Sequence, residues 1–259
     1  RVMSEEERRV TAYHEAGHAL VAHALPHTDP VHKITIMPRG RALGYTMVLP
    51  DDDRYSVTRN QLLDKLAYSL GGRAAEELIF HDPSTGASDD IDKATTLARA
   101  MVTQYGMTES IGAIKLGTDA SEPFMGRDYG HTRDFSESVA TLIDREIRTF
   151  IENAHQEAFD ILDENRAILD EMVAQLLDRE TLNKEEIAEI FTQVRPRPNR
   201  PAWTGSSTRQ PSSVPPIATR VALSRAAHEE STKGVKKAPK KTRAKRVAKA
   251  PSAEIKPED

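Results

Sequence analysis

Residues 4–25 read SEEERRVTAYHEAGHALVAHAL, and the other elements must be arranged around this stretch. The stretch predicts a helix that begins at Ser4, a suitable N-cap followed by three glutamates, and that ends before Pro26. Its centre is the H-E-x-x-H motif His14-Glu15-Ala16-Gly17-His18. Two histidines four residues apart lie on one helical face, one turn apart, so both imidazoles can reach one metal ion. The stretch therefore predicts a metal site built on a single helix.

The motif also suggests a reaction class, metal-assisted hydrolysis. Zinc accepts nitrogen ligands of this kind, and Glu15 can meet a metal-bound water as general base. A bare H-E-x-x-H motif also occurs by chance, and the alternative is two half-buried histidines on an amphipathic helix. The neighbouring residues are largely apolar, and a buried pair of histidines needs polar partners, which a metal supplies. Gly17 costs about 1 kcal/mol in a helix interior relative to alanine, which predicts the close approach of another segment.

Composition limits the kind of site that this chain can hold. The 259 residues include no cysteine, so disulfides and thiolate ligands are excluded, and a metal must be bound by His, Asp or Glu. No apolar run approaches the roughly 18 residues of a membrane span, and no signal peptide is visible. The chain begins with Arg, and we expect a soluble fragment of a longer or processed protein.

Charge is distributed unevenly along the chain. Residues 195–259 carry 16 Lys and Arg against five Asp and Glu, whereas the residues before them carry 20 against 35. After Val194 the sequence is rich in Pro and Ser and then in Lys, Arg and Ala, a composition that cannot bury enough apolar surface to offset chain entropy. We therefore expect a folded metallopeptidase-type domain over 1–195 and a disordered tail over 196–259 whose C-terminal end is basic.

Hydrophobic periodicity predicts a mainly α-helical domain with a small β-sheet or hairpin. The alternating residues 31–37 predict one strand and residues 42–49 a second, in which Gly44 marks a bulge or a close contact. Apolar residues at helical spacing predict helices over 58–79, about 89–105, 136–165, 166–178 and 183–193, with a mostly irregular segment over 107–132. Gly71-Gly72 interrupts the first of these helices, which indicates tight packing rather than phosphate binding.

A catalytic zinc usually takes three protein ligands, and the motif supplies two. The candidates for the third are acids and histidines outside the motif: Glu76, Glu77, Asp89, Asp90, Asp92, His23, His27, His32 and His81. The glutamate pair lies on a predicted helix, where an acid is most often a surface group. The aspartate pair lies where a helix begins and where acids often cap. Capping satisfies only part of such a pair, so one aspartate remains free to bind metal, and residue chemistry alone leaves both pairs open.

Four segments in order carry a resemblance to a known family. They are HEAGHALVAHALP from residue 14, DPVHKITIMPRGRALGYT from residue 29, LGGRAAEELIF from residue 70 and STGASDDIDKATTLARAMVTQYGM from residue 84. Over roughly residues 5–195 the sequence resembles the peptidase domain of the FtsH family, the membrane-anchored, ATP-dependent zinc metalloproteases. Several ordered motifs make this resemblance far more specific than the five-residue motif alone.

The resemblance implies a ligand set. In that family the third zinc ligand is the aspartate at the second acid of the S-T-G-A-S-x-D segment, which corresponds to Asp90. His14, His18 and Asp90 would then hold one Zn²⁺ per subunit. Glu15 would be the catalytic base that takes a proton from the attacking water and hands it to the leaving amine. The remaining acids would have capping, surface or supporting roles: Asp89, Glu76 and Glu77.

The resemblance also implies parts that this chain lacks. FtsH proteins carry an N-terminal membrane anchor and an AAA+ ATPase module, and this sequence contains no G-x-x-x-x-G-K-[ST] phosphate loop. We expect ATP to be used only by that missing module. The family works as a homo-hexamer at the cell membrane, so we expect this domain on the cytoplasmic side, hydrolysing unfolded or membrane polypeptides. The competing function is a catalytically silent, peptidase-like domain that serves ring assembly.

Three further hypotheses concern surfaces. The strand at 33–37 or that at 42–48 offers an edge along which an extended substrate pairs by β-augmentation, although a small sheet that merely covers the core fits equally well. The helix at 136–165 contributes either to ring contacts or to the core. Lys233–Lys249 makes a weak contact with anionic lipid or nucleic acid, or else is a solvated, disordered tail.

Overall fold

The structure, a computed structural model, describes residues 3–38, 40, 43–50, 53–117 and 134–218. Part of the predicted irregular segment and the whole basic end of the tail therefore lie outside the described residues. The elements in chain order are α1 (Glu5–Ala24), β1 (Val31–Thr35), β2 (Tyr45–Val48), α2 (Arg59–Ser69), α3 (Gly71–Phe80), α4 (Ser88–Thr103), α5 (Glu137–Glu164), α6 (Arg166–Arg179), β3 (Thr181–Asn183) and α7 (Lys184–Ile190). The mainly helical domain with a small sheet is thus confirmed. Across the described part of the chain, each helix is too short or too polar to cross a lipid bilayer.

The motif helix α1 lies at the centre of the domain. It packs against α2, α3, α5, α6 and the sheet. Its N-terminus is closed by a capping box, in which the Ser4 hydroxyl accepts from the Glu7 amide and the Glu7 carboxylate accepts from the Ser4 amide. Its middle is buried through small and aliphatic side chains such as Ala12, Ala16 and Leu20. Because the middle of this helix is enclosed by other elements, its polar side chains there are restricted, which suits a site that must keep its geometry.

Two glycines allow α1 and α3 to touch backbone to backbone. A Cβ added to Gly17 would lie 2.5 Å from the Gly71 carbonyl oxygen, and one added to Gly71 would lie 2.8 Å from the Gly17 oxygen. The close approach predicted for Gly17 is confirmed. The interruption predicted at Gly71-Gly72 within the helix over 58–79 is confirmed, because two helices, α2 and α3, meet at Leu70. The crossing at Gly71 brings α3 directly over the motif.

The sheet has three antiparallel strands in the order β2-β1-β3. Ile34 of β1 pairs with Thr46 of β2 on one side and with Leu182 of β3 on the other. β1 is therefore the central strand. Within the predicted helix over 183–193, Asn183 ends β3 and caps α7, and Phe191–Gln193 after α7 form a 3₁₀ helix. A strand of three residues is too short to show an alternating pattern in the sequence.

Residues 195–211, which we call the C-terminal segment, lie in the same compact unit as the helices. The Arg197 amide donates to the Ala24 carbonyl oxygen over 2.8 Å, and the Arg200 guanidinium pairs with Asp64. The predicted division at residue 195 stays a prediction, but side-chain contacts with the helices continue beyond it. Residues 212–218 contain no helix or strand.

Candidate metal centre

His14 and His18 meet on one face of α1. Their Nε2 atoms lie 3.1 Å apart, and the two rings stand edge to face with centroids 4.7 Å apart. His18 is buried and His14 is partly buried. The spacing of one helical turn therefore brings the two imidazoles together as the motif predicts.

Asp90 reaches the same point from the first turn of α4. The Ser84 hydroxyl accepts from the Gly86 amide, and this turn leads into α4 at Ser88. The Asp90 Oδ2 atom lies 3.2 Å from His14 Nε2 and 3.3 Å from His18 Nε2. The structure thus brings together the three predicted ligands, and their role as ligands stays a prediction.

The hydrogen bonds behind the two rings show that this donor set fits zinc. The Tyr68 carbonyl oxygen lies 2.8 Å from His18 Nδ1 and can only accept, so Nδ1 carries the proton and Nε2 of the neutral ring presents a lone pair. The Glu76 carboxylate acts in the same way on His14 Nδ1, again over 2.8 Å. When both imidazoles are neutral, as metal binding requires, two nitrogen lone pairs and the Asp90 oxygen therefore converge without a proton donor among them. Their separations of 3.1–3.3 Å match the edge of about 3.3 Å in a tetrahedron of ligands placed about 2.0–2.1 Å from zinc.

Electrostatics in the metal-free protein agree with this interpretation. Burial lowers the pKa of His14, but its hydrogen bonds with Asp90 and Glu76 outweigh burial and raise that pKa to about 9. Burial raises the pKa of Asp90, yet its hydrogen bonds with both imidazoles hold it well below the usual range. A cation is therefore strongly favoured between these groups. A divalent metal would take the place of a shared proton.

Glu76 supports the centre from behind His14 rather than from within it. Its side chain is 1% exposed, with Oε1 on His14 Nδ1 and Oε2 accepting from the Ser84 amide over 2.5 Å. Burial raises the pKa of Glu76, but the bonds with His14 and Ser84 lower it by more. One carboxylate thus joins α3 to both ligand-bearing segments. Sequence reasoning left this residue open as a ligand, and the structure gives it a supporting position.

Glu15, the predicted base, is buried beside β2. It is 7% exposed, and its Oε2 atom accepts from the Thr46 hydroxyl over 2.7 Å. A Cβ at Gly44 would lie 2.9 Å from Glu15 Cγ, so the close contact predicted at this glycine is confirmed. Sequence reasoning missed Thr46. The sequence does hold a signal for this residue, because side chains two positions apart in a strand point to the same face. A close contact at Gly44 therefore indicates that Thr46 faces the same neighbour.

Gly72 makes room for the two imidazoles. A Cβ at this position would lie 2.5 Å from His14 Nε2 and 2.6 Å from His18 Nε2. The tight packing expected of Gly71-Gly72 is therefore confirmed, and at Gly72 the closely packed partners are the metal-facing nitrogens themselves.

The other candidates for the third ligand lie elsewhere. Glu77 pairs with Arg73 and with His155, and Asp89 and Asp92 are exposed. The His23 ring packs against Phe191. Within the described residues, one group alone has the spacing to hold a metal ion: His14, His18 and Asp90. The group does not include the remaining histidines: His27, His32 and His81.

Comparison with known proteins points to the same chemistry. The profile of Peptidase family M41 matches residues 1–190. The ATP-dependent zinc metalloprotease FtsH of Cutibacterium acnes (strain SK137) is 63% identical over 217 residues, which cover 84% of this chain and 30% of the relative. FtsH of Rhodococcus erythropolis (strain PR4 / NBRC 100887) is 48% identical over 85% of this chain and 26% of the relative. FtsH 3 of Symbiobacterium thermophilum is 49% identical over 81% of this chain and 34% of the relative.

The chain thus spans about a third or less of the curated relatives that it matches. The match nevertheless covers the whole motif helix, the sheet, the acid-bearing turn before α4 and the helices that enclose them. The three residues predicted to bind the metal, His14, His18 and Asp90, and the buried Glu15 all lie within the matched residues. Sequence, fold and site geometry therefore lead to one conclusion: the chain belongs to peptidase family M41.

Proposed function

We propose that this chain is the zinc metalloendopeptidase domain of an ATP-dependent protease. The observation that carries the proposal is the convergence of His14 Nε2, His18 Nε2 and Asp90 Oδ2 within 3.3 Å of one another. The names of the relatives, ATP-dependent zinc metalloproteases, support the identity of the metal and the reaction. When bound, zinc lowers the pKa of water toward about 7 and polarises a scissile carbonyl.

The residues around the proposed zinc site have three roles: metal binding, orientation of the imidazoles and proton transfer. His14, His18 and Asp90 hold the metal, while Glu76 and the Tyr68 carbonyl orient the two imidazoles. Glu15 takes a proton from the attacking water and returns it to the amine that leaves when the peptide bond breaks. Its burial beside the sheet keeps this carboxylate from being fully hydrated.

The sheet has two outer strands, β2 and β3, and β2 is the one that contacts Glu15, so its edge is the one proposed to bind an extended substrate. β1 is paired on both sides, which removes it from the two strands considered from sequence. β2 remains, because no strand among the described residues pairs with its outer edge. A polypeptide that adds to β2 would lie beside Glu15 and would be held by backbone hydrogen bonds. Such binding has little sequence preference, which suits unfolded polypeptides as substrates.

Replacement of the base tests the proposed reaction. Glu15→Gln should keep about one zinc per chain and lose casein hydrolysis by about a hundredfold or more, since general bases contribute about 10²–10⁴-fold. Glu6→Gln, at an exposed position on the same helix, is the matched control and should retain full activity. Hydrolysis retained by Glu15→Gln would contradict the assignment of the base. Zinc bound without hydrolysis in the unsubstituted protein would instead support the silent assembly domain.

We propose that the full-length protein is a homo-hexamer and that parts of it outside this chain bind ATP and anchor it in the membrane. The names of the relatives and the coverage of only 26–34% of their length support this division of labour. In the full-length gene product, degradation of a folded substrate should require ATP hydrolysis, whereas cleavage of casein should not. Equal rates with ATP and with a non-hydrolysable analogue on both substrates would contradict the proposal. Fractionation with the membrane, and protease accessibility from the cytoplasmic side only, would test the location.

We also propose that the basic end of the tail makes a weak contact with anionic lipid. Lys233–Lys249 holds most of the lysines of the tail, and each Lys or Arg near an anionic surface contributes about 1 kcal/mol. Deletion of 219–259 leaves the described contacts of the C-terminal segment in place. Salt-sensitive binding to phosphatidylglycerol vesicles should disappear on this deletion. Binding that is unchanged would contradict the lipid contact.

A further inference from the structure

We infer that Thr46 is the positioning residue of the general base, so that the strand proposed to receive substrate also aligns the carboxylate that activates water. The inference rests on the proposed function and adds a residue to it. Its two supports are the contact of one hydroxyl with both the backbone and the side chain of Glu15, and the fixed place of Thr46 in the sheet.

The Thr46 hydroxyl contacts Glu15 at two atoms. Its Oγ1 lies 2.7 Å from Glu15 Oε2 and 3.0 Å from the Glu15 backbone oxygen. Both partners are acceptors, and the hydroxyl has a single proton. The carboxylate oxygen lies at the shorter distance and accepts that proton. This hydrogen bond restricts the Glu15 side chain to rotamers in which Oε2 faces β2.

The position of Thr46 is itself fixed. Its backbone is paired with Ile34, a fully buried residue of the central strand. Two residues earlier, Gly44 leaves space beside the Glu15 carboxylate, because a Cβ there would lie 3.0 Å from Oε1. Residues 44 and 46, on one face of the chain, thus bind one carboxylate oxygen and leave room for the other. A hydrogen bond between a rigid strand and a buried carboxylate favours one orientation over others.

Orientation has a large effect on a base that must meet a water held by other groups. A misplacement of about 1 Å costs about a hundredfold in rate. Loss of the hydroxyl should therefore lower kcat while substrate binding and zinc content stay nearly unchanged. A residue with only a structural role in the sheet would not give this pattern.

The test compares Thr46→Val with Thr46→Ser and with Thr181→Val. Thr181 lies on β3, on the other side of β1, where its hydroxyl pairs with Thr35 over 2.8 Å, so it is a matched sheet hydroxyl away from Glu15. Peptide hydrolysis should show kcat lowered by about 10–100-fold in Thr46→Val, with KM within about twofold. Zinc content should stay at one per chain, Thr46→Ser should recover most of kcat, and Thr181→Val should match the unsubstituted protein.

A second measurement needs no activity. In the metal-free protein, the carboxyl ¹³C NMR signal of Glu15, assigned by its loss in Glu15→Gln, should move in Thr46→Val and stay in place in Thr181→Val. An unmoved signal, a kcat in Thr46→Val equal to that of Thr181→Val, or a Thr46→Ser as slow as Thr46→Val would overturn the inference.

Two further outcomes are also decisive. If Thr46→Val does not fold, Thr46→Ala takes its place, and equal kcat values for the Ala and Ser variants overturn the inference. If the zinc-loaded unsubstituted protein hydrolyses nothing, the proposed function fails. The Glu15 NMR signal of the metal-free variants then still tests whether Thr46 positions the Glu15 carboxylate.

Discussion

Two carboxylates in this domain, Asp64, which is buried, and Asp90, which is partly buried, face opposite kinds of partner. Asp64 is 0% exposed and is paired with the guanidinium of Arg200, while its second oxygen accepts from the His27 amide over 2.8 Å. Asp90 faces only His14 and His18, whose other nitrogens are already engaged. The first carboxylate is paired with a guanidinium that is always charged, whereas the second faces imidazoles that can bind either a proton or a metal ion. Burial alone does not distinguish a structural ion pair from a metal site; the nature of the partners does.

Of the substitutions that test this comparison, removal of the Asp90 carboxylate should have the largest effect, and the effect should be on zinc binding. Three protein ligands share a zinc-binding free energy of about 10–16 kcal/mol, so Asp90→Ala should weaken zinc binding by about a thousandfold or more. Asp89→Asn, at an exposed position one residue earlier, should bind zinc like the unsubstituted protein. Competition with a fluorescent chelator measures both variants. Equal affinities would show that Asp90 is not a ligand.

Removal of Arg200, the cation paired with Asp64, should instead lower the free energy of unfolding. Arg200→Met leaves Asp64 as a buried, unpaired charge, which costs about 3–5 kcal/mol of unfolding free energy, while the zinc affinity of the folded protein stays unchanged. Arg197→Met is the control, because its partner Glu164 is 42% exposed and such pairs contribute at most about 1 kcal/mol. Urea unfolding compares the two. If Arg200→Met were no less stable than Arg197→Met, the ion pair would not be what holds the C-terminal segment.

A smaller effect should follow from changing the carboxylate behind His14. Glu76 accepts at both oxygens, from His14 and from the Ser84 amide. A glutamine accepts at only one, so Glu76→Gln leaves one donor unpaired and should weaken zinc binding by about 10–100-fold. The same competition assay measures it. Unchanged affinity would limit Glu76 to a packing role.

The smallest effect is expected at the neighbouring acid. Glu77 pairs with Arg73 and His155, and these side chains are 26–34% exposed. Glu77→Gln should cost about 1 kcal/mol or less in stability, with zinc affinity within about twofold of the unsubstituted protein. Zinc loss comparable to that of Asp90→Ala would instead favour Glu77 as a ligand.

The sequence was most informative where the signal is local. The Ser4 cap and the one-turn spacing of His14 and His18 depend on residues a few positions apart, and both features are present in the structure. Asp90 could be chosen over Glu76 only through resemblance to a family. Residue chemistry offered both as ligands, and their positions in front of and behind His14 depend on how α3 and α4 pack against α1.

The sequence was least informative where a contact joins distant segments. The three-residue β3 and the pairing of Arg200 with Asp64, 136 residues apart, leave no periodic trace. Thr46 is a further example, because its contact with Glu15 exists only when β2 lies against α1. In each case the decisive partner is brought near by tertiary packing, which local propensity does not encode.

The most direct test of the metal centre is anomalous X-ray diffraction at the zinc absorption edge, from crystals of the zinc-loaded protein. We predict a single strong anomalous peak from a zinc ion that is bound by His14 Nε2, His18 Nε2 and Asp90 at distances of about 2.0–2.2 Å. The Glu76 carboxylate should remain hydrogen-bonded to His14 Nδ1. A peak at another place, or coordination by Glu76 or Glu77 in place of Asp90, would contradict the account.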